Sequence, residues 1–219
     1  MTVFFSMKIR IVYDNCSARE ELRTGWGFSA LIETSDTPPI LFDTGDNGVD
    51  LLYNMKRLDI DPAGIGTIVI SHAHGDHTGG LRDILEINTD ASIYLPASVS
   101  ARIKGRDIVP VSEPVYISKS VISTGELKGI EQSLLVRTGK GIVVVTGCSH
   151  PGVGTIIDTA SRYGEVYGII GGLHGFNEFS RLYSMSLICP CHCTRHKVEI
   201  SELFPSQYVP CGAGLEIEL

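Results

Sequence analysis

Ile70-Ser-His72-Ala-His74-Gly-Asp76-His77-Thr-Gly-Gly80 is the stretch on which the reading of this chain turns. It follows a continuous apolar run at residues 65–71 that reads as a buried strand. Four residues of metal-ligand type fall within six positions directly after that strand, so a rigid strand end would hold a loop able to wrap cations. The short steps let His72 and His74 converge on one ion while the neighbouring Asp76 and His77 serve a second. Imidazole with carboxylate suits zinc, iron or manganese better than calcium, which prefers oxygen-only shells.

A catalytic ion needs a further protein ligand, and the other histidines stand where such a ligand is expected. His150 follows the apolar run 141–146, His174 follows the run 166–170, and His192 follows Leu187-Ile-Cys189. Three histidines at three strand exits, each in a Gly- or Cys-rich turn, describe loops converging over one edge of a sheet. His196 differs, lying beside Lys197 at the expected exposed start of the last helix.

The rest of the chain alternates short β-branched runs, Gly-rich turns and amphipathic stretches. Strands are expected at 7–13, 28–33, 40–43, 92–95, 129–136, 141–146 and 166–170, with the pair 129–136 and 141–146 joined at Gly139-Lys140-Gly141. Helices are expected from a cap at Asp46 through Leu58, and at 81–87, 154–163 and 199–204. Mixed elements in this order fit sheets covered by helices. Nothing resembles a linker or a repeat, so residues 1–219 read as a single domain, with Met7 an alternative start to Met1 because the strand pattern begins there.

The 219 residues carry 18 Lys and Arg against 25 Asp and Glu, a net charge of −7. That balance lacks the positive excess of a non-specific nucleic-acid binder, so no nucleic-acid partner is expected. No apolar run reaches the roughly 18 to 20 residues of a membrane helix, and the expected location is the cytoplasm. Three of the six cysteines lie in Cys189-Pro-Cys191-His-Cys193, while Cys16, Cys148 and Cys211 are scattered. Residues two apart are poorly placed to bridge each other, so reduced thiols are expected. The cluster suits a soft metal in type, but it has no second pair at zinc spacing, and packing is the favoured reading of most of these cysteines.

His72-x-His74-x-Asp76-His77, preceded by Asp43-Thr-Gly45 and followed by His150 and His192, resembles the metallo-β-lactamase superfamily. The resemblance implies an α/β fold, a four-layer αββα sandwich of two mixed sheets flanked by helices, with a two-metal site on the edge between the sheets. It also implies two divalent ions. Zinc is the expected one, with manganese, iron and magnesium as alternatives. His72, His74 and His150 would hold the first, Asp76, His77 and His192 the second, and Asp43 would support the ligand loop. The bridging carboxylate usual in the superfamily is missing, since its place reads Gly171-Gly-Leu-His174, which predicts a weaker second site and leaves His174 either as a further ligand or free as a proton donor or substrate contact, with Asp76 and His174 the candidate catalytic residues.

Thr24-Gly-Trp26-Gly-Phe28, Thr146-Gly-Cys-Ser-His150 and Pro190-Cys-His-Cys-Thr194 are similar to the branch that contains the dihydropterin-methyl ribofuranosylaminobenzene phosphate synthase of methanopterin biosynthesis. What this implies is an enzyme acting on a small anionic substrate bearing phosphate or pyrophosphate, as a hydrolase or as a pterin transferase. Trp26 is a candidate wall for a flat heterocycle. Arg195, where the branch has glycine, is a candidate anion contact. A metal- or pterin-binding sensor without turnover is the alternative.

Overall fold

The computed structural model describes residues 7–99, 106 and 108–219. The question of a start at Met1 or Met7 falls on residues 1–6, outside the described residues.

The first half of the chain builds one mixed sheet. It contains β1 (Lys8–Tyr13), β2 (Ser29–Glu33), β3 (Ile40–Phe42), β4 (Thr67–Val69), β5 (Ser92–Pro96) and β6 (Ile108–Val111) in spatial order, with a last strand of the chain, β13 (Glu216–Glu218), beside β1. The second sheet runs β12 (Leu187–Cys191), β11 (Val166–Gly172), β10 (Gly141–Thr146), β9 (Leu134–Thr138), β8 (Val121–Ser123) and β7 (Val115–Tyr116). Strands β3 to β6 pair in parallel, as do β10 to β12, and the remaining pairs are antiparallel.

Side chains alternate across each strand, and here both faces are covered. Ile40 and Phe42 of β3, Leu134 and Val136 of β9, and Val143 and Val145 of β10 meet in a core between the sheets. The intervening Leu41 points outward to α1 (Gly48–Arg57) and α3 (Leu81–Ile87), which the one-turn α2 (Gly75–Thr78) separates along the chain, packing against Leu51, Met55 and Ile84. Leu135, Ile142 and Val144 point outward on the other side, to α4 (Val153–Ala160) and α5 (Lys197–Leu203). Three apolar layers therefore separate helices, sheet, sheet and helices. The double burial explains why the strands read as near-continuous apolar runs.

Several sequence expectations shift. The cap of α1 is Asn47, whose side chain accepts from the backbone N–H groups of Val49 and Asp50. Asp46 accepts instead from the Tyr13 hydroxyl. The strand expected over 129–136 begins only at Leu134, because Gly129 turns the chain with φ 67° and Glu131 sends its carboxylate into a buried polar site. Strands β6, β7, β8 and β13 escaped the sequence reading, since two to four residues are too few to show a period. The reduced-thiol expectation fails for two of the six cysteines. Cys191 at the end of β12 pairs with Cys211, 20 residues later, in a disulfide with a Cα–Cα separation of 5.2 Å. The return of the C-terminal segment past β12 brings them together.

Candidate metal centre

Parallel neighbours end at the same edge, so the exits of β3, β4, β10, β11 and β12 open side by side. Asp43 follows β3, residues 70–77 follow β4, and Gly147-Cys-Ser-His150 follows β10. His174 lies two residues beyond β11 and His192 directly after β12. Open α/β sheets place ligands at this end of their strands. The loops are held in costly backbone shapes. Asp43, Ser149, His174 and His192 have φ between 44° and 61°, and they make up four of the six non-glycine residues with positive φ among those described.

Two donor clusters result. His72, His74 and His150 form one, and Asp76, His77, Cys148 and His192 the other, with the ligand atoms of each group within 4.8 Å of one another. In the first, His72 Nε2 stands 3.0 Å from His74 Nδ1. In the second, Asp76 Oδ2 stands 3.1 Å from His192 Nε2, and Cys148 Sγ 3.2 Å from His77 Nε2.

Each of four rings is oriented by an oxygen on its Nδ1. His77 Nδ1 is 2.7 Å from Asp43 Oδ2, and His72 Nδ1 is 2.8 Å from Ser71 Oγ, whose hydroxyl donates to the same Asp43 carboxylate. His150 Nδ1 is 2.9 Å from Glu131 Oε2, and His192 Nδ1 is 2.9 Å from Asn15 Oδ1. An oxygen acceptor on Nδ1 sets the tautomer that leaves Nε2 as a lone-pair donor, which is how metal-ligating histidines are held. The donors therefore fit divalent cations in type, number and orientation. When bound, such ions supply Lewis acidity and stabilise developing negative charge.

Glu131 does more than orient one ring. Its carboxylate accepts from the backbone N–H groups of Cys148, Ser149 and His150. Burial opposes its ionisation, but the hydrogen bond with His150, the nearby His72 and these backbone donors prevail and hold it down to about 2. The hydrogen bond to Glu131 in turn raises His150 above its ordinary value. Burial lowers His77, but the Asp43 charge and hydrogen bond overcome it and leave that ring raised. Burial and the neighbouring His77 push His72 down to about 3 and His192 to about 4, so both are neutral, the ligating form, at physiological pH.

His174 belongs to neither cluster. It is exposed, with its ring 5.5 Å from that of His150. A cleft of about 610 Å³ opens there, lined by His150, His174, Lys128, Asp158, Phe176 and Arg181. On the opposite flank Trp26, 60% exposed, sets its ring 5.0 Å from His192. Arg195 is exposed and donates its backbone N–H to the His174 carbonyl, which puts it at the rim beside His174.

The family model described as the metallo-beta-lactamase superfamily matches residues 25–156. The chain belongs to the metallo-beta-lactamase superfamily. It is 28% identical to the 7,8-dihydropterin-6-methyl-4-(beta-D-ribofuranosyl)-aminobenzene-5'-phosphate synthase of Methanocaldococcus jannaschii, over 86% of this chain and 88% of that protein. An uncharacterised protein of the same archaeon is 29% identical over 86% of this chain and 91% of its own length. Among solved structures, Tm1679, described as a metal-dependent hydrolase of the beta-lactamase superfamily, superposes with a TM-score of 0.80 at 26% identity, covering 97% of this chain and 99% of the other.

Within this metallo-beta-lactamase fold two residues of the centre escaped the sequence reading. Cys148 is among the scattered cysteines, most of which read as packing, yet its sulfur stands among the second group of donors. Its signal was its place two residues before His150 at a strand exit. Glu131 lies in a stretch read as strand, and nothing local marks it, because its partners are backbone groups 17 to 19 residues away. Asp158, Glu165 and Glu178, carboxylates on either side of the missing bridge in sequence, take no part in either cluster.

Proposed function

We propose that this chain is a metal-dependent enzyme with a dinuclear centre acting on a small anionic substrate that carries a phosphate or pyrophosphate group. The observation that carries this reading is the pair of adjoining donor clusters, each with oriented nitrogen donors, beside a cleft that His150 of the first cluster lines and that has the size small-molecule sites require. Zinc is the ion the mixture of imidazole, carboxylate and thiolate suits best, and the cytoplasm is the location we assign.

The chain's own residues divide the work. His72, His74 and His150 hold the first position, and Asp76, His77, Cys148 and His192 the second. Asp43, Ser71, Asn15 and Glu131 fix the rings, so little reorganisation accompanies substrate binding. His174, exposed beside His150 and outside both clusters, is free to give or take a proton at its imidazole. Lys128 and Arg195 stand near the mouth as contacts for an anionic tail. Trp26 offers a face for a flat ring next to His192.

Hydrolysis of a phosphate ester and transfer of a pterin-methyl group with departure of pyrophosphate are both compatible with this division. The likeness to the pterin-related synthase favours transfer, and the likeness to the metal-dependent hydrolase favours hydrolysis. Zinc content and turnover of bis(p-nitrophenyl) phosphate, and of a dihydropterin-methyl pyrophosphate with an arylamine, test the reading. H77A should lose turnover with either substrate, and H174A should lose more turnover than metal. Activity that survives H77A overturns the two-metal reading. A chain that binds zinc but converts neither substrate is a binding module.

A further inference from the structure

The second donor cluster has a neighbour that coordination does not use. Cys193, half-buried one residue beyond His192, places its sulfur 3.3 Å from Cys148 Sγ and is not one of the clustered donors. Two loops from different strands make this meeting, the exit of β10 for Cys148 and the exit of β12 for Cys193. Gly172, at the end of β11 between them, keeps the space open. A Cβ there would stand 2.7 Å from Cys193 Sγ and 3.3 Å from the Cα of Cys148. Apart from Cys193, the Cys148 sulfur's side-chain partner is His77 Nε2 at 3.2 Å. One sulfur therefore faces two ways, toward the metal position and toward a second thiol. A small approach brings the pair to the roughly 2.05 Å of a disulfide.

We propose that Cys148 and Cys193 form an oxidative modification site, whose disulfide withdraws Cys148 from the second metal position and empties it. This rests on the reading of Asp76, His77, Cys148 and His192 as a cation site. The oxidant is hydrogen peroxide. The Cys193 sulfur attacks the peroxide oxygen, the O–O bond breaks, and the thiol hydrogen leaves with the departing oxygen as water, giving a sulfenic acid. The Cys148 sulfur then attacks the Cys193 sulfur, the S–O bond breaks, and the hydroxyl leaves with the Cys148 hydrogen as a second water. Two thiols and one peroxide become one disulfide and two waters. A disulfide sulfur carries no negative charge and is a poor zinc ligand, because the thiolate is the form that coordinates. Asp76, His77 and His192 alone then face the ion. The chemistry runs through half-buried Cys193, whereas Cys148 is buried.

The test uses the full chain loaded with zinc and exposed to a few equivalents of hydrogen peroxide. Mass spectrometry of proteolytic peptides reads the Cys148–Cys193 cross-link separately from Cys191–Cys211, and a chromophoric chelator reads released zinc. The expected result is a cross-link that appears together with loss of about one zinc per chain, both reversed by a thiol reductant. C193S should keep its zinc at the same peroxide dose. The wild-type cross-link is read without relying on that variant. The proposal is overturned if both thiols remain open to alkylation after peroxide, or if the cross-link forms while zinc stays bound. A chain holding one zinc before any oxidant counts against the dinuclear reading instead, and the cross-link and the fate of that zinc still decide this proposal.

Discussion

Glu131 is a single buried carboxylate that accepts three backbone N–H groups and orients the ring of His150, so its charge acts on the candidate metal centre through that ring. His150, raised by Glu131, and His77, raised by Asp43 against burial, carry a proton more readily than free histidine. His72 and His192, lowered to about 3 and about 4, do not. A raised pKa means that protons compete with the ion as pH falls through neutrality, and that ion uptake near pH 7 expels protons from His77 and His150. In E131Q the His150 pKa should fall back toward its ordinary value. Zinc titration calorimetry in buffers of different ionisation enthalpy should then show fewer protons released than in the wild type, with affinity weakened about 10- to 100-fold. Unchanged proton release in E131Q would mean that Glu131 does not govern His150.

At the scale of elements, the centre exists because strand exits crowd together, and glycines allow the crowding. Gly147 leaves β10 against the exit of β4, where a Cβ would overlap Ser71 Oγ and stand 3.1 Å from Asp43 Oδ2. G147A should destabilise the fold by about 1–3 kcal/mol through overpacking and should also reduce zinc content, since Ser71 and Asp43 orient His72 and His77. Denaturant unfolding together with metal analysis checks this, and a variant with wild-type values for both would show that the β4 and β10 exits can part without cost. Legibility at this scale was uneven. The strands that carry ligands were readable because burial on both faces makes them continuous apolar runs. The start of β9 was misplaced because Glu131 and Gln132 are polar yet fully buried, and no local pattern tells a buried, satisfied carboxylate from an exposed one. The cap of α1 moved one residue, from Asp46 to Asn47, because the Tyr13 hydroxyl had already engaged Asp46.

For the molecule as a whole, the net charge of −7 sets a long-range field that would repel the anionic substrate we propose, leaving attraction to bound metal ions and to a few local cations such as Lys128. Raising ionic strength from about 0.05 M to about 0.3 M should therefore leave kcat/KM for a phosphate ester unchanged or slightly higher, because screening weakens the repulsion. A steep fall with salt would reveal a basic track that composition hides. None of the helices among the described residues is long and apolar enough to cross a membrane, in keeping with the short apolar runs of the chain. The sequence by itself determined the layered α/β class and six metal-ligand candidates, because ligand spacing after a strand and two-sided burial are local properties written in residue order. Only the tertiary structure decided that Cys148 joins Asp76, His77 and His192, that Glu131 underlies His150, and that Cys191 meets Cys211. Those contacts join residues 17 to 116 positions apart, and they follow from which strand ends the sheets bring side by side.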